Sequence, residues 1–127
     1  MRTKKIASIY SVLVGFAIIG IWLMLLLTDQ VPELTVEPYR ILAHIIAEFA
    51  TGLLLVLSGI ALYTNRVWSP NLFIFAQGAL FYTLIASPGY YLDRGAVSMV
   101  IMFIGILVVN IVLLGLALVQ PHKFSDE

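Results

Sequence analysis

The stretch ILAHIIAEFATGLLLVLSGIALY, residues 41–63, decides the fold class of this chain. A helix rises 1.5 Å per residue, so about 20 apolar residues cross a hydrocarbon core that is roughly 30 Å thick. Backbone amides in lipid must find their hydrogen-bond partners within the segment, and a helix provides them. The stretch therefore predicts a transmembrane helix.

Three further apolar runs surround it, at residues 6–27, 72–87 and 96–119. The run at 72–87 is the shortest and ends just before Pro88. None of the runs shows the alternation of apolar and polar residues that a membrane strand requires. The chain is therefore predicted to be all-α, an integral membrane four-helix bundle of up-down-up-down topology, with residues 1–127 forming a single transmembrane domain.

Composition agrees with lipid as the surrounding solvent. Apolar residues make up 61% of the chain and charged residues 11%, against roughly 45–50% and 25% in soluble proteins. Seven basic residues balance seven acidic ones and form no basic stripe, so nucleic acid is not an expected partner. The sequence contains no cysteine, which excludes disulfides, thiol catalysis and thiolate metal ligands.

The distribution of lysine and arginine predicts the orientation of the chain. With four crossings, five basic residues fall on one side and two, Arg40 and Arg94, on the other; the five are Arg2, Lys4, Lys5, Arg66 and Lys123. Because cytoplasmic loops carry the excess of basic residues, both termini are expected in the cytoplasm. The plasma membrane is the expected location.

One face of the second span carries ionisable side chains. Arg40, His44 and Glu48 follow one another at steps of four and so lie on one ridge of the helix. Counted from Tyr39, Glu48 lies roughly 13 Å into the membrane, where a carboxylate costs roughly 2.5–3.5 kcal/mol to insert. Such a residue is expected to face the other helices and to have a functional role. Thr51 lies beside it.

The third span offers a polar partner at a matching depth. Gln77 lies roughly 16 Å below Pro88 when the helix is counted inward from that proline. Its amide both donates and accepts hydrogen bonds, and it is the predicted third member of the Glu48 site. Asn110, on the last span, lies deeper and is expected to tie helices together.

These residues predict a binding or transport protein. Arg40, His44, Glu48, Thr51 and Gln77 form the predicted set for ligand binding or proton relay. An imidazole one turn from a buried carboxyl group is suited to pass it a proton, so the ligand is expected to be a proton, a cation or another small ligand.

Two other classes of function remain open. A quinone or haem is conceivable beside His44, although a bis-histidine haem site needs a second membrane histidine and the only other one, His122, lies in the tail. The chain is otherwise a non-catalytic helper that binds another membrane protein or a lipid. No catalytic motif, metal cluster or cofactor is predicted, and a homodimer would use the small residues Ser8, Ser11 and Gly15.

Overall fold

The computed structural model describes residues 2–125, which form five α-helices and one short 3-10 helix. The helices are α1 (Arg2–Leu27), α2 (Glu33–Val36), α3 (Pro38–Tyr63), α4 (Ser69–Asp93) and α5 (Val97–Val119), and the 3-10 helix is Pro121–Lys123. Helices α1, α3, α4 and α5 are long and apolar enough to cross a membrane. The prediction of an all-helical chain with four such helices is confirmed.

The backbones of α1 and α3 pack closely together, because glycines at their interface carry no side chain. A Cβ atom built on Gly15 would lie 2.6 Å from the carbonyl oxygen of Gly52, and one on Gly59 would lie 2.7 Å from the carbonyl oxygen of Ser8. The Ser8 hydroxyl donates to the carbonyl of Gly59 at 2.6 Å. Small residues are the usual means by which membrane helices bring their backbones together. The surface that was predicted to serve a homodimer, around Ser8 and Gly15, is thus covered by α3 of the same chain.

Helix α4 extends well beyond its predicted end. The apolar run was expected to span residues 72–87, yet α4 continues through Pro88 to Asp93. An interior proline removes a helical hydrogen bond. Neighbouring groups in a bundle compensate for the lost bond, so proline is tolerated inside membrane helices. At 1.5 Å per residue, residues 88–93 place the end of the helix about 9 Å further along than predicted.

Three of the helices end in the same hydrogen-bonded turn. After α1, α3 and α4 the reversing residues are Asp29, Asn65 and Gly95, all with positive φ. In each case the next amide donates back to the third-last helical carbonyl, as Ala96 N does to Tyr91 O at 2.9 Å. This is the Schellman arrangement, which satisfies the free carbonyls of a helix end. It explains how short connections can join such long helices.

The apolar core is divided into layers along the bundle axis. The central layer consists of side chains from α1, α3 and α4, with residues of α5 packed against it: Val14, Leu55, Ala76, Leu80 and Leu84. One neighbouring layer contains the stacked rings of Phe73 and Phe124, 5.2 Å apart. The other contains Trp22 and Ile45, and the candidate site lies beside it.

Candidate functional site

Glu48 is the buried acid at the centre of the candidate site. Only 4% of the surface of Glu48 is exposed. The helical repeat places His44 one turn away on the same face of α3, with its Nε2 3.3 Å from Glu48 Oε2. From α4, the Ser87 hydroxyl donates to the same oxygen at 3.1 Å. The predicted pairing of the imidazole with the carboxyl group is therefore present in the structure.

A cavity of about 60 Å³ adjoins this pair, bounded by α1, α3, α4 and α5. We call it the core cavity. Its polar lining comes from His44, Glu48, Thr83 and Ser87, and its aromatic lining from Trp22, Tyr90, Tyr91 and Phe103. The Trp22 ring meets the His44 ring edge to face, with centroids 5.5 Å apart. Since a water molecule needs roughly 10–15 Å³ of such space, the cavity has room for a few waters or a small polar group.

A second opening reaches the same carboxyl group between α3 and α4. This lateral groove has a volume of about 280 Å³ and is lined by His44, Ala47, Glu48, Thr51, Ala79, Tyr82 and Thr83. The side chains of Ala47 and Ala79 in its walls are small, so they leave the space between α3 and α4 open. Tyr82 lies at its edge and is 73% exposed. Glu48 is thus accessible from two sides.

A strap of polar contacts lies across the end of the bundle nearest the site. Arg94 Nη2 is 3.1 Å from Glu33 Oε2, and the Arg94 guanidinium lies 4.3 Å from the centre of the Tyr90 ring. Partial burial by itself raises the pKa of the Glu33 carboxyl, but its backbone hydrogen bond and the Arg94 guanidinium outweigh that effect and leave the pKa below its ordinary value. The contacts of the strap therefore favour the ionised form of the Glu33 carboxyl group over the protonated form.

The structure separates Arg40 from the other predicted site residues on α3. Arg40 pairs with Glu37 at 3.1 Å, and both side chains are largely exposed. Thr51 is buried and lines the lateral groove, where its hydroxyl donates to the carbonyl of Ala47 at 2.8 Å. Arg40 thus lies at the helix end, and Thr51 lies within the groove that leads to Glu48.

Gln77 belongs to a different polar cluster. Its amide nitrogen donates to the Ser11 hydroxyl at 3.0 Å, and its amide oxygen accepts from Asn110 Nδ2 at 2.7 Å. Asn110 ties helices together as expected. The side chain of Gln77 is fully buried in this cluster. Along α4, Leu80 and Leu84 of the central apolar layer separate Gln77 from Ser87, which contacts Glu48.

The displacement of Gln77 follows from the true length of α4. Glu48 is ten residues from the start of α3 at Pro38, about 15 Å, and Thr83 is ten residues from the end of α4 at Asp93. Gln77 is sixteen residues from Asp93, or about 24 Å. Counting from Pro88 had therefore placed it too near the level of Glu48.

Sequence reasoning missed four residues that surround the carboxyl group: Trp22, Thr83, Ser87 and Tyr90. A count from Asp93 would have selected Thr83 and Ser87 as the polar residues of α4 at the correct depth. No comparable signal identified Trp22, because α1 carries apolar residues on every side. Its place beside His44 depends on the packing of α1 against α3.

The arrangement has a defined electrostatic character. Among the residues that line the core cavity and the lateral groove, His44 is the one side chain able to carry a positive charge, and Glu48 is the one carboxylate. Within residues 2–125 there is no cluster of three His, Cys, Asp or Glu side chains that suits a metal ion. The ionisable acid and base of the site therefore form one pair, Glu48 and His44, 3.3 Å apart.

Comparison with known proteins identifies one family. The family described as Domain of unknown function (DUF8058) matches residues 1–126. No curated protein matches the chain, and no solved structure matches it.

Proposed function

The chain belongs to the DUF8058 family, and we propose that it is a multi-pass membrane protein that binds a cation at Glu48 in exchange for a proton. In this proposal α1, α3, α4 and α5 cross the plasma membrane in up-down-up-down order with both termini in the cytoplasm. The strap of Glu33 and Arg94 then faces outward, and Glu48 lies near mid-membrane. The four apolar helices and the bias of basic residues support this arrangement.

The observation that carries the proposal is the buried Glu48 carboxyl group beside a single imidazole. Arg40 and Arg94 are engaged by Glu37 and Glu33 at the helix ends, so neither neutralises it. A purely structural role would be filled by serine or asparagine at a lower insertion cost. An ionisable pair at this place instead supports a function in which charge is gained and lost.

The exchange conserves charge within the site. Before the cation binds, the pair of His44 and Glu48 holds one proton. When a cation approaches, the pair releases this proton to water through His44, and the carboxylate holds the cation. The Ser87 hydroxyl stabilises the ionised form by donating to Oε2.

Proton release from the purified protein tests this function. The detergent-solubilised protein is placed in weakly buffered solution, and sodium, potassium or tetramethylammonium chloride is added while the pH is followed. We expect at least one of these cations to release up to one proton per chain from the wild type. Glu48→Gln should abolish the release, because the amide cannot exchange a proton.

Glu37→Gln is the matched control, since it removes an exposed carboxylate from the start of the same helix. We expect the control to release protons as the wild type does. Equal release by wild type and Glu48→Gln would contradict the proposal. If Glu48→Leu also raised thermal stability while a protein partner still co-purified, the helper function would replace it, because apolar groups can replace buried ionic ones without loss of stability.

A further inference from the structure

We propose that the cation is an amphiphilic ammonium ion that reaches Glu48 sideways from the bilayer through the lateral groove. This inference rests on the proposed function and adds to it a ligand class and a route of entry. Both follow from the shape of the groove, the charge at its base and the closure of the outer end.

The groove connects the carboxyl group with the lipid-facing surface of the bundle. Its base is formed by Glu48, His44 and Thr83, and its sides by Ala47 and Ala79. The α4 surface beside it is apolar, with Phe75, one helical turn from Ala79, 64% exposed. In a membrane this surface contacts acyl chains, so the groove opens into lipid. A ligand there has its polar group at Glu48 and its apolar part among lipid tails.

The charge at the base selects a cationic head group. An ionised carboxylate accepts hydrogen bonds and attracts positive charge but donates nothing. The Tyr82 ring lies at the edge of the groove, and aromatic faces attract ammonium groups. The surroundings of Glu48 therefore suit an ammonium group better than a neutral head group.

The aqueous route from the outer end is narrowed by the strap. Arg94 is held by Glu33, stacks on Tyr90 and also donates to the carbonyl of Gln30 at 3.4 Å. Tyr90 itself lines the core cavity. A hydrated cation arriving from water would have to displace these contacts, whereas an amphiphile already in the bilayer avoids them. Lateral entry is therefore favoured.

Fluorescence of Trp22 provides a direct measurement of binding. Trp68, the second tryptophan, is 53% exposed, and a Trp68→Phe background leaves Trp22 as the reporter beside His44. The protein is placed in phosphatidylcholine nanodiscs and titrated with octyltrimethylammonium or with tetramethylammonium. We expect the octyl compound to bind the more tightly, with Glu48→Gln abolishing its signal.

Filling the groove tests the route. Ala79→Phe should weaken octyltrimethylammonium binding about tenfold or more, because the ring occupies the space in which the ligand lies. Ala47→Phe places a ring on the opposite wall and should have the same effect. Ala50→Phe is the matched control, since Ala50 is exposed on α3 and does not line the groove. The pH titration of Trp22 fluorescence should be unchanged in both groove variants, which shows that the Glu48 site has remained intact.

Two outcomes would overturn the lateral route. One is unchanged octyltrimethylammonium binding in both groove variants; the other is binding that is altered by Arg94→Gln and not by Ala79→Phe. If small cations released protons through Glu48 but the octyl compound did not bind, the ligand class would be wrong and the proposed function would stand. If Glu48→Gln changed neither response, the proposed function itself would fail.

Discussion

At the scale of single residues, charge at the ends of the bundle differs from charge inside it. Glu33 and Arg94 are each about one-third exposed, with side-chain values of 34%, so water screens much of their attraction. Glu48 has little water around it and depends on His44 and Ser87. The same residue type thus forms a partly exposed ion pair in one place and a buried contact with His44 in the other.

The ion pair of Glu33 and Arg94 in the strap predicts a small dependence of stability on pH. Because the folded-state pKa of Glu33 lies below its ordinary value of 4.5, its contribution is present above the unfolded-state pKa and disappears as the pH falls through the folded-state pKa. We expect the wild type to lose more thermal stability than Glu33→Gln between about pH 6 and about pH 3. Thermal denaturation in detergent at the two pH values measures the difference.

Arg94→Gln is the second variant for this comparison, because it removes the cation that lowers the pKa of Glu33. Its pH dependence should lie between those of the wild type and Glu33→Gln, because the backbone hydrogen bond that also lowers the pKa of Glu33 remains. An identical loss of stability in the wild type and in Glu33→Gln would show that the ion pair of Glu33 and Arg94 contributes nothing to the free energy of unfolding.

At the scale of the helices, the α1–α3 interface depends on backbone proximity. Gly15 faces Gly52 and Gly59 faces Ser8, spaced two helical turns apart, so that the two helices remain close over much of their length. This contact also carries Trp22 to the side of His44. The geometry of the site therefore depends on the glycines of the α1–α3 interface as well as on the residues beside Glu48.

Two alanine substitutions on α1 should have opposite effects. In Gly15→Ala the new Cβ would lie 2.6 Å from the carbonyl oxygen of Gly52, so the backbones must separate, at a cost of about 1–3 kcal/mol. A Cβ on Gly20 meets nothing within 4 Å, and Gly20→Ala should stabilise the protein by about 0.5–1 kcal/mol through helix propensity. Thermal or denaturant unfolding in detergent compares the two, and equal stability of both variants would refute the close interface.

At the scale of the whole molecule, the proposed orientation makes α2 and the α3–α4 connection face opposite sides of the membrane. Val36 in α2 is 74% exposed and Val67 in the connection is 91% exposed. The chain contains no cysteine, so a single introduced thiol gives an unambiguous signal.

Labelling of these two positions tests the topology. In intact cells a membrane-impermeant maleimide should react with Val36→Cys and leave Val67→Cys unlabelled until the membrane is opened. This result is expected because the basic residues place the α3–α4 connection in the cytoplasm. Labelling of Val67→Cys alone in intact cells would reverse the orientation, and labelling of both would contradict the crossings.

The sequence by itself determined the number of long apolar helices and the pairing of His44 with Glu48. Each of these depends on local spacing: an apolar run of sufficient length, or two side chains one helical turn apart. The end of α4 could not be predicted from local spacing, because Pro88 lies inside this helix. The effect of Pro88 on α4 depends on the surrounding bundle, so the helix end, and with it the depth assigned to Gln77, was misplaced.

Only the tertiary structure decided which residues of other helices meet Glu48. Ser87 and Trp22 are 39 residues after it and 26 residues before it along the chain, and their approach depends on the length of α4 and on the glycines between α1 and α3. Local spacing carries no information on the rotation and offset of one helix relative to another. Those are set by the packing of side chains and backbones across the interface.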